Sequence, residues 1–294
     1  MDGQSLQKPI LTFKELTAQE LPTWCLACGD FNILFAVKNA LVDLQIPREN
    51  VVIVTGIGCG SKLNHFIKTY GFEGLHGRPL PVATGIKLVN KDLTVVVVAG
   101  DGDTYGIGGN HFIHAMRRNL DITMIVQNNE VYGLTKGQYS PTSPQGFKSP
   151  STPYGAIEGS VNPLALAMTM GATYVARGYS YEVLHLKKLI ADGVTHKGFA
   201  LIDVFQPCTT YNKVNDIAWY KSHVYKVEDA GHAPTNREEA WKKAWEWGDK
   251  IPIGLIYREE GKPTYEDCVP QIQAVPVKQD ISNIDISGIL ERFK

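Results

Sequence analysis

No apolar run in this 294-residue chain approaches the roughly 20 residues that a membrane-spanning helix needs. The opening residues, MDGQSLQKPILTFKEL, lack the charged-then-apolar order of a secretory signal, so a cytoplasmic protein is expected. An excess of one charge is also missing. The formal net charge is −1, which gives no electrostatic ground for binding nucleic acid or a membrane surface. Cysteine is scarce: five residues do not make a disulfide framework in a chain of this size. No internal repeat is visible. What is present is 44 % apolar and 20 % charged residues, enough for a substantial core in one α/β domain, with or without an appendage.

The most informative stretch begins at residues 94–99, TVVVVA, too short for a helix and rich in β-branched side chains. It reads as a buried strand, and Gly100-Asp101-Gly102 follows it. A second strand-like run, ITMIVQ at 122–127, delivers Asn128-Asn129, with twenty-five residues between Gly102 and the pair. Two parallel strands would then hold an Asp and an Asn at neighbouring carboxyl ends, the edge where open α/β sheets bind ligands. A carboxylate and an amide oxygen converging there suit Mg²⁺, which shares its shell with substrate phosphates. Gly100 and Gly102 let the backbone turn sharply and approach a diphosphate closely. Alone, Gly-Asp-Gly is an ordinary turn; with its strand, its spacing and the Asn pair, it reads as a metal–diphosphate site. The pattern resembles the thiamine diphosphate motif. By that resemblance Asp101 and Asn129 are Mg²⁺ ligands, and the backbone carbonyl of Val131 is the third.

The cysteines carry a second signal. Cys25 and Cys28 form a C-x2-C pair in W-C-L-A-C-G. Cys59 follows a strand at 51–54, and Cys208 follows a strand at 201–205 in Q-P-C. Two of the four thus fall on the edge assigned to the diphosphate. Thiolates suit zinc or an iron–sulfur cluster, and four of them complete either site. The C-x2-C spacing is shared with redox pairs and does not choose between these. Cys268 stands apart in a polar stretch and reads as a partly buried or surface thiol.

Taken in order, W-C-L-A-C-G-D at 24–30, G-I-G-C-G-S-K at 56–62, L-H-G-R at 75–78, P-V-A-T-G-I-K at 81–87, G-D-G-D-T-Y-G-I-G-G-N at 100–110, N-N-E-V-Y-G-L-T-K-G-Q at 128–138 and Q-P-C at 206–208 form a recognisable set. The chain resembles the β subunit of the two-subunit 2-oxoacid:ferredoxin oxidoreductases. That resemblance implies a [4Fe–4S] cluster on Cys25, Cys28, Cys59 and Cys208, close to a thiamine ring. It implies cofactor contacts from Ile57, Gly58, Cys59, Gly60 and His76, from Gly102 and Asp103 at the diphosphate, and from Gly133 and Leu134. Lys62 and Arg78 are candidates for substrate carboxylates or coenzyme A, and Lys136 for coenzyme A phosphates. A solvent-facing lysine is the competing reading for Lys62. His111 and His114, three apart on a helix, read as packing residues, since no third ligand of that kind is near.

The implied reaction is coenzyme A-dependent oxidative decarboxylation of a 2-oxoacid, with electrons passing through the cluster to ferredoxin. It would be reversible as carbon dioxide fixation. 2-Oxoglutarate is the expected substrate and pyruvate the alternative. The family's activating glutamate comes from a pyrimidine-binding domain for which no second α/β unit exists here. An α subunit is therefore expected, in an (αβ)2 assembly. Two other readings stay open. One is a non-redox thiamine decarboxylase or carboligase, which leaves the cysteines idle; the other is a zinc-stapled binding subunit without turnover.

The expected architecture is a doubly wound parallel α/β sheet of the diphosphate-binding type, with helices at 30–44, 108–119, 163–170 and 181–195 between strands near 51, 94, 122, 173 and 199. Residues 1–23 read as an N-terminal extension, 24–214 as the α/β domain and 215–294 as a C-terminal extension. Residues 140–159, with four prolines and three glycines, read as a loop over the ligand edge. In the C-terminal part, Trp219, Trp241, Trp245 and Trp247 crowd a charge-dense region, with a helix expected over 237–249. Tryptophan-rich surface marks a partner interface, and a cap packed on the same core is the other reading.

Overall fold

The computed structural model describes residues 11–294, so the first ten residues of the segment expected as an N-terminal extension, 1–23, lie outside the described residues. The first half of the chain runs α1 (Gly29–Leu44), β1 (Val51–Thr55), β2 (Tyr70–Glu73), α2 (Pro79–Val89), β3 (Thr94–Gly100), α3 (Gly109–Arg118) and β4 (Thr123–Asn128). Two short antiparallel strands follow, β5 (Val131–Tyr132) and β6 (Gln138–Tyr139), then α4 (Pro163–Met170), β7 (Tyr174–Tyr179), α5 (Val183–Thr195) and β8 (Ala200–Phe205). Last come α6 (Ile217–His223), β9 (Val224–Lys226), α7 (Arg237–Trp245) and β10 (Ile251–Arg258), with the single-turn helices α8 (Tyr265–Cys268) and α9 (Ser287–Leu290) near the end.

The eight-stranded sheet has the order β2-β1-β3-β4-β8-β7-β10-β9. Its first six strands are mutually parallel, as expected; β10 pairs antiparallel with β7 and carries β9 parallel to itself. Alternation divides the strand residues between two apolar layers. Val52, Val54, Val95 and Val97 face α2, α3, α4 and α7. Val51, Ile53, Val96 and Val98 face α1 and α5. Both faces are thus covered by helices, which explains the unbroken β-branched runs. Helix α4 begins as its sequence dictates, with Asn162 capping Ala165 N–H and Pro163 in the first turn.

The C-terminal segment adds to this same sheet through β9 and β10. Helix α7 ends at Trp245, four residues before the expected limit. It buries Ala240 and Ala244 in the core and leaves Trp241 and Trp245 exposed. Among the described residues no helix is long and apolar enough to cross a membrane.

Candidate active site

Four neighbouring strands, β1, β3, β4 and β8, end on one edge of the sheet, and the motif residues follow immediately. Asp101 follows β3 and is 2 % exposed. Its Oδ2 accepts hydrogen bonds from Ser140 Oγ at 2.5 Å and Thr142 Oγ1 at 2.6 Å. Burial pushes this carboxyl above the ordinary aspartate value, while the two hydroxyls oppose the rise. Both hydroxyls belong to the proline-rich stretch at 140–159, which therefore does lie over the ligand edge. Residues Gly102–Ile107 wind as a helical turn that breaks at Gly106 (φ −85°, ψ −107°) before α3. Asn129 follows β4; its Nδ2 donates to Gln206 Oε1 at 3.0 Å, and its Oδ1 accepts from Val131 N–H at 3.1 Å.

A cavity of about 180 Å³ opens at this edge. Its walls include the residues expected at the cofactor, namely Ile57, Gly58, Cys59, Gly60, His76, Gly102, Asp103, Gly133 and Leu134, together with Asp101, Asn129 and Val131. Glycine is required where the walls touch. A Cβ on Gly102 would lie 2.1 Å from the Tyr132 ring, and one on Gly56 would lie 1.8 Å from Asp103 Oδ2. Asp103 holds two turns together. Its Oδ1 accepts from Gly77 N–H at 2.6 Å and Ile57 N–H at 3.3 Å, and pairs with His76 Nδ1 at 2.5 Å. Burial lifts the Asp103 carboxyl, against these bonds.

The cysteine pair lies beside the cavity. Trp24 Nε1 donates to the carbonyl of Cys59 at 2.7 Å, tying the C-x2-C turn to the G-I-G-C-G turn. A Cβ on Gly133 would stand 3.6 Å from Cys59 Sγ and 3.7 Å from Cys208 Sγ, so those two sulfurs flank one cavity-lining glycine. Burial, then Asp30, Cys208 and Cys25, push the Cys59 thiol up to about 11. Burial and Asp30 raise Cys28 as well, with Cys208 contributing. The four sulfurs therefore occupy one electrostatic neighbourhood, and thiolates there need a cationic partner. Asp30 itself is buried and titrates at about 7, its Oδ2 accepting from the Cys28 thiol at 3.4 Å.

Among the described residues no three His, Cys, Asp or Glu side chains converge tightly enough to hold one metal ion. The donor sets in question have other shapes. A Mg²⁺ set here would draw on one carboxylate, one amide oxygen and one backbone carbonyl, and an iron–sulfur cluster would take each cysteine on a different iron. Hard oxygens at Asp101 and soft sulfurs around Cys59 fit the two groups respectively.

Other expected residues fall outside the cavity walls. Lys62 is half-buried near Cys59, where its charge lowers the thiol. Arg78 is exposed and donates from Nη1 to His111 Nε2 at 3.0 Å. Lys136 is exposed on the turn between β5 and β6. His114 accepts at Nδ1 from Arg117 at 3.3 Å.

Sequence reasoning missed several residues that shape the site. Gln206, 1 % exposed, touches both Asn129 and Cys28. Gln127 lines the cavity with neither amide atom partnered. Behind the carboxyl edge, buried Asp203 accepts from Tyr105 OH at 2.8 Å and Asn128 Nδ2 at 3.2 Å, and pairs with Arg177 at 3.8 Å. The Arg177 guanidinium lies over the rings of Phe205 and Trp247. Gln206 opens the Q-P-C motif and Gln127 precedes the Asn pair, so both could have been read as part of the edge; the Arg177–Asp203 pair gave no local signal.

A parallel sheet whose carboxyl edge sets a buried aspartate and an asparagine over a glycine-walled cavity has the form of a thiamine diphosphate-binding half-site. The family described as thiamine pyrophosphate enzyme, C-terminal TPP binding domain, matches residues 54–204, and the family of the C-terminal part of the pyruvate ferredoxin oxidoreductase beta chain matches 208–274. A 2-oxoacid:ferredoxin oxidoreductase subunit beta from Sulfolobus sp is 50 % identical over 258 residues, 84 % of this chain and 85 % of the relative. The 2-oxoglutarate oxidoreductase subunit KorB of Mycobacterium tuberculosis is 44 % identical over 199 residues, 68 % of this chain and 53 % of the relative. A solved structure of 2-oxoglutarate:ferredoxin oxidoreductase from Magnetococcus marinus, with 2-oxoglutarate, coenzyme A and succinyl-CoA bound, superimposes with a TM-score of 0.89. It is 36 % identical, and the match covers 98 % of each chain. The chain belongs to the β subunits of the 2-oxoacid:ferredoxin oxidoreductases.

Proposed function

We propose that this chain, joined to an α subunit, converts 2-oxoglutarate and coenzyme A to succinyl-CoA and carbon dioxide and passes the electrons through a [4Fe–4S] cluster to ferredoxin. The observation that carries the reading is Cys59, which lines the diphosphate cavity and also faces Cys208 across Gly133. One residue would thus serve both sites and bring the donor and acceptor of electrons together. The relatives named for 2-oxoglutarate, and the solved neighbour with that substrate bound, support the substrate. Pyruvate is the alternative.

Asp101, Asn129 and the Val131 carbonyl would hold Mg²⁺ against the diphosphate, with Ser140 and Thr142 fixing the Asp101 carboxylate. The turns at 57–60 and 133–134 would enclose the cofactor, and Asp103 would keep the first of them in register with His76. Cys25, Cys28, Cys59 and Cys208 would hold the cluster. Thiamine diphosphate, when bound, supplies the nucleophilic carbon and the electron sink that decarboxylation needs. Lys62 and Arg78 lie beside this edge and would meet the substrate or coenzyme A with the α subunit in place, as would Lys136. The activating glutamate would come from that subunit, in an (αβ)2 assembly, and strong reductant would drive the reaction toward carbon dioxide fixation. The test is metal and sulfide analysis of the anaerobically purified αβ complex. About four iron and four labile sulfide per β chain are expected; zinc without sulfide would end the reading.

A further inference from the structure

Among the described residues, Gln206 is the one side chain hydrogen-bonded to residues of both proposed centres. It follows β8 and is held by its own backbone, whose N–H donates to the Asn128 carbonyl at 2.8 Å and extends the β4–β8 ladder by one rung. Its Oε1 accepts from Asn129 Nδ2 at 3.0 Å, and its Nε2 donates to Cys28 Sγ at 3.1 Å. The amide is 1 % exposed, so no solvent competes for either contact. Gly29, at the start of α1, makes room for it. A Cβ there would stand 3.0 Å from Gln206 Cγ and 2.5 Å from Ser180 Oγ.

An amide has one accepting and one donating end, so these two bonds are not independent. For Asn129 to offer its carbonyl oxygen to a cation, its NH2 must point away from the metal, and Gln206 Oε1 is what receives it. With its oxygen committed there, Gln206 must present its own NH2 to the Cys28 sulfur. We infer that Gln206 is a positioning residue linking the two centres: it orients Asn129 for the metal–diphosphate unit and tunes the cluster through an N–H···S bond to Cys28. The direction of tuning follows from electrostatics. The positive end of an N–H dipole favours the more negative, reduced cluster over the oxidised one, so the bond raises the reduction potential. The inference rests on the reading of Cys28 as a cluster ligand and Asn129 as a magnesium ligand.

The test uses the anaerobic αβ holoenzyme carrying Gln206→Met, an apolar side chain of similar length that offers neither N–H nor carbonyl. An electron paramagnetic resonance redox titration should show the cluster potential moved to a more negative value with iron content retained. On the cofactor-stripped complex at fixed Mg²⁺, thiamine diphosphate should bind several-fold more weakly. An unchanged potential in a fully iron-loaded variant would overturn the inference, as would unaltered thiamine diphosphate affinity. Should Gln206→Met fail to retain iron, Gln206→Leu is measured in the same way. Wild-type protein without iron and sulfide would instead refute the underlying cluster assignment, which the metal analysis reveals before any variant is made.

Discussion

Adding one methyl group at Gly102 tests the cavity geometry. A Cβ there would lie 2.1, 2.5 and 2.8 Å from Cε1, Cζ and Cδ1 of Tyr132. Carbon atoms in contact settle near about 3.5 Å, so the ring must retreat by more than about 1 Å. It is held in place by its hydroxyl, which donates to the Gly102 carbonyl at 3.3 Å, and by the edge of His76 at 6.1 Å between centroids. The backbone at Gly102 is helical rather than left-handed, so the penalty is steric and not conformational. Overpacking of this kind costs about 1–3 kcal/mol, or a fall in melting temperature of roughly 2–5 °C for a chain of this size. Because Gly102 and Tyr132 both line the cavity, Gly102→Ala should also weaken thiamine diphosphate binding by tenfold or more in a fluorescence titration of the stripped complex, about 1.4 kcal/mol. Combining it with Tyr132→Ala removes the ring that the new methyl strikes and should recover much of the melting temperature relative to additivity. A Gly102→Ala protein that melts and binds like wild type would refute the reasoning. So would a double variant whose losses simply add.

Asp101→Ala should abolish detectable thiamine diphosphate binding by calorimetry while leaving the brown colour intact, because the carboxylate and the cysteines are separate donor sets; retained affinity would move the metal elsewhere. Cys208→Ser should lose iron, since Cys208 faces Cys59 across Gly133, and an unchanged iron content would point to another fourth ligand. Asp203 gives a pH prediction. Burial outweighs the Arg177 guanidinium and the bonds from Tyr105 and Asn128, leaving this carboxyl at about 6 against an ordinary 3.8. The native state therefore holds this proton more tightly than the unfolded chain between those values, so the group's contribution to stability falls as pH rises through that window and is flat above it. The melting difference between Asp203→Asn and wild type should change from pH 4 to 6 and stay constant from 7 to 8.5. A difference that keeps moving above pH 7 would contradict the assignment.

The sheet edge that carries the motif residues was legible because its signals are local. Short β-branched strands ending in Gly-Asp-Gly and Asn-Asn leave little freedom about which end of the sheet brings Asp101 and Asn129 together. The proline-rich stretch at 140–159 could be read as a loop over that edge, but its role in bonding Asp101 through Ser140 and Thr142 depends on contacts 39 and 41 residues apart. Helix α2 escaped notice because Pro79 and Pro81 at its start and Gly85 within it lower its apparent propensity, although proline is well tolerated in a first turn. The reversed strands β9 and β10 were hidden by a charged surrounding sequence. There burial is decided by the partner strand β7 rather than by local pattern. Gln206, Trp24 and Arg177 act through partners between 26 and 178 residues away, at separations that leave no mark in spacing. The expected tryptophan face of α7 is real but points outward, while its alanines make the core contact.

The most direct measurement is visible absorbance of the αβ complex, purified without oxygen, before and after 2-oxoglutarate and coenzyme A are added. Bleaching of a brown cluster band on adding both is the expected result, because it requires cofactor chemistry in the cavity to deliver electrons to the neighbouring cysteines. A brown sample that stays brown with 2-oxoglutarate and with pyruvate would contradict the coupling of the two sites on which the proposed function rests.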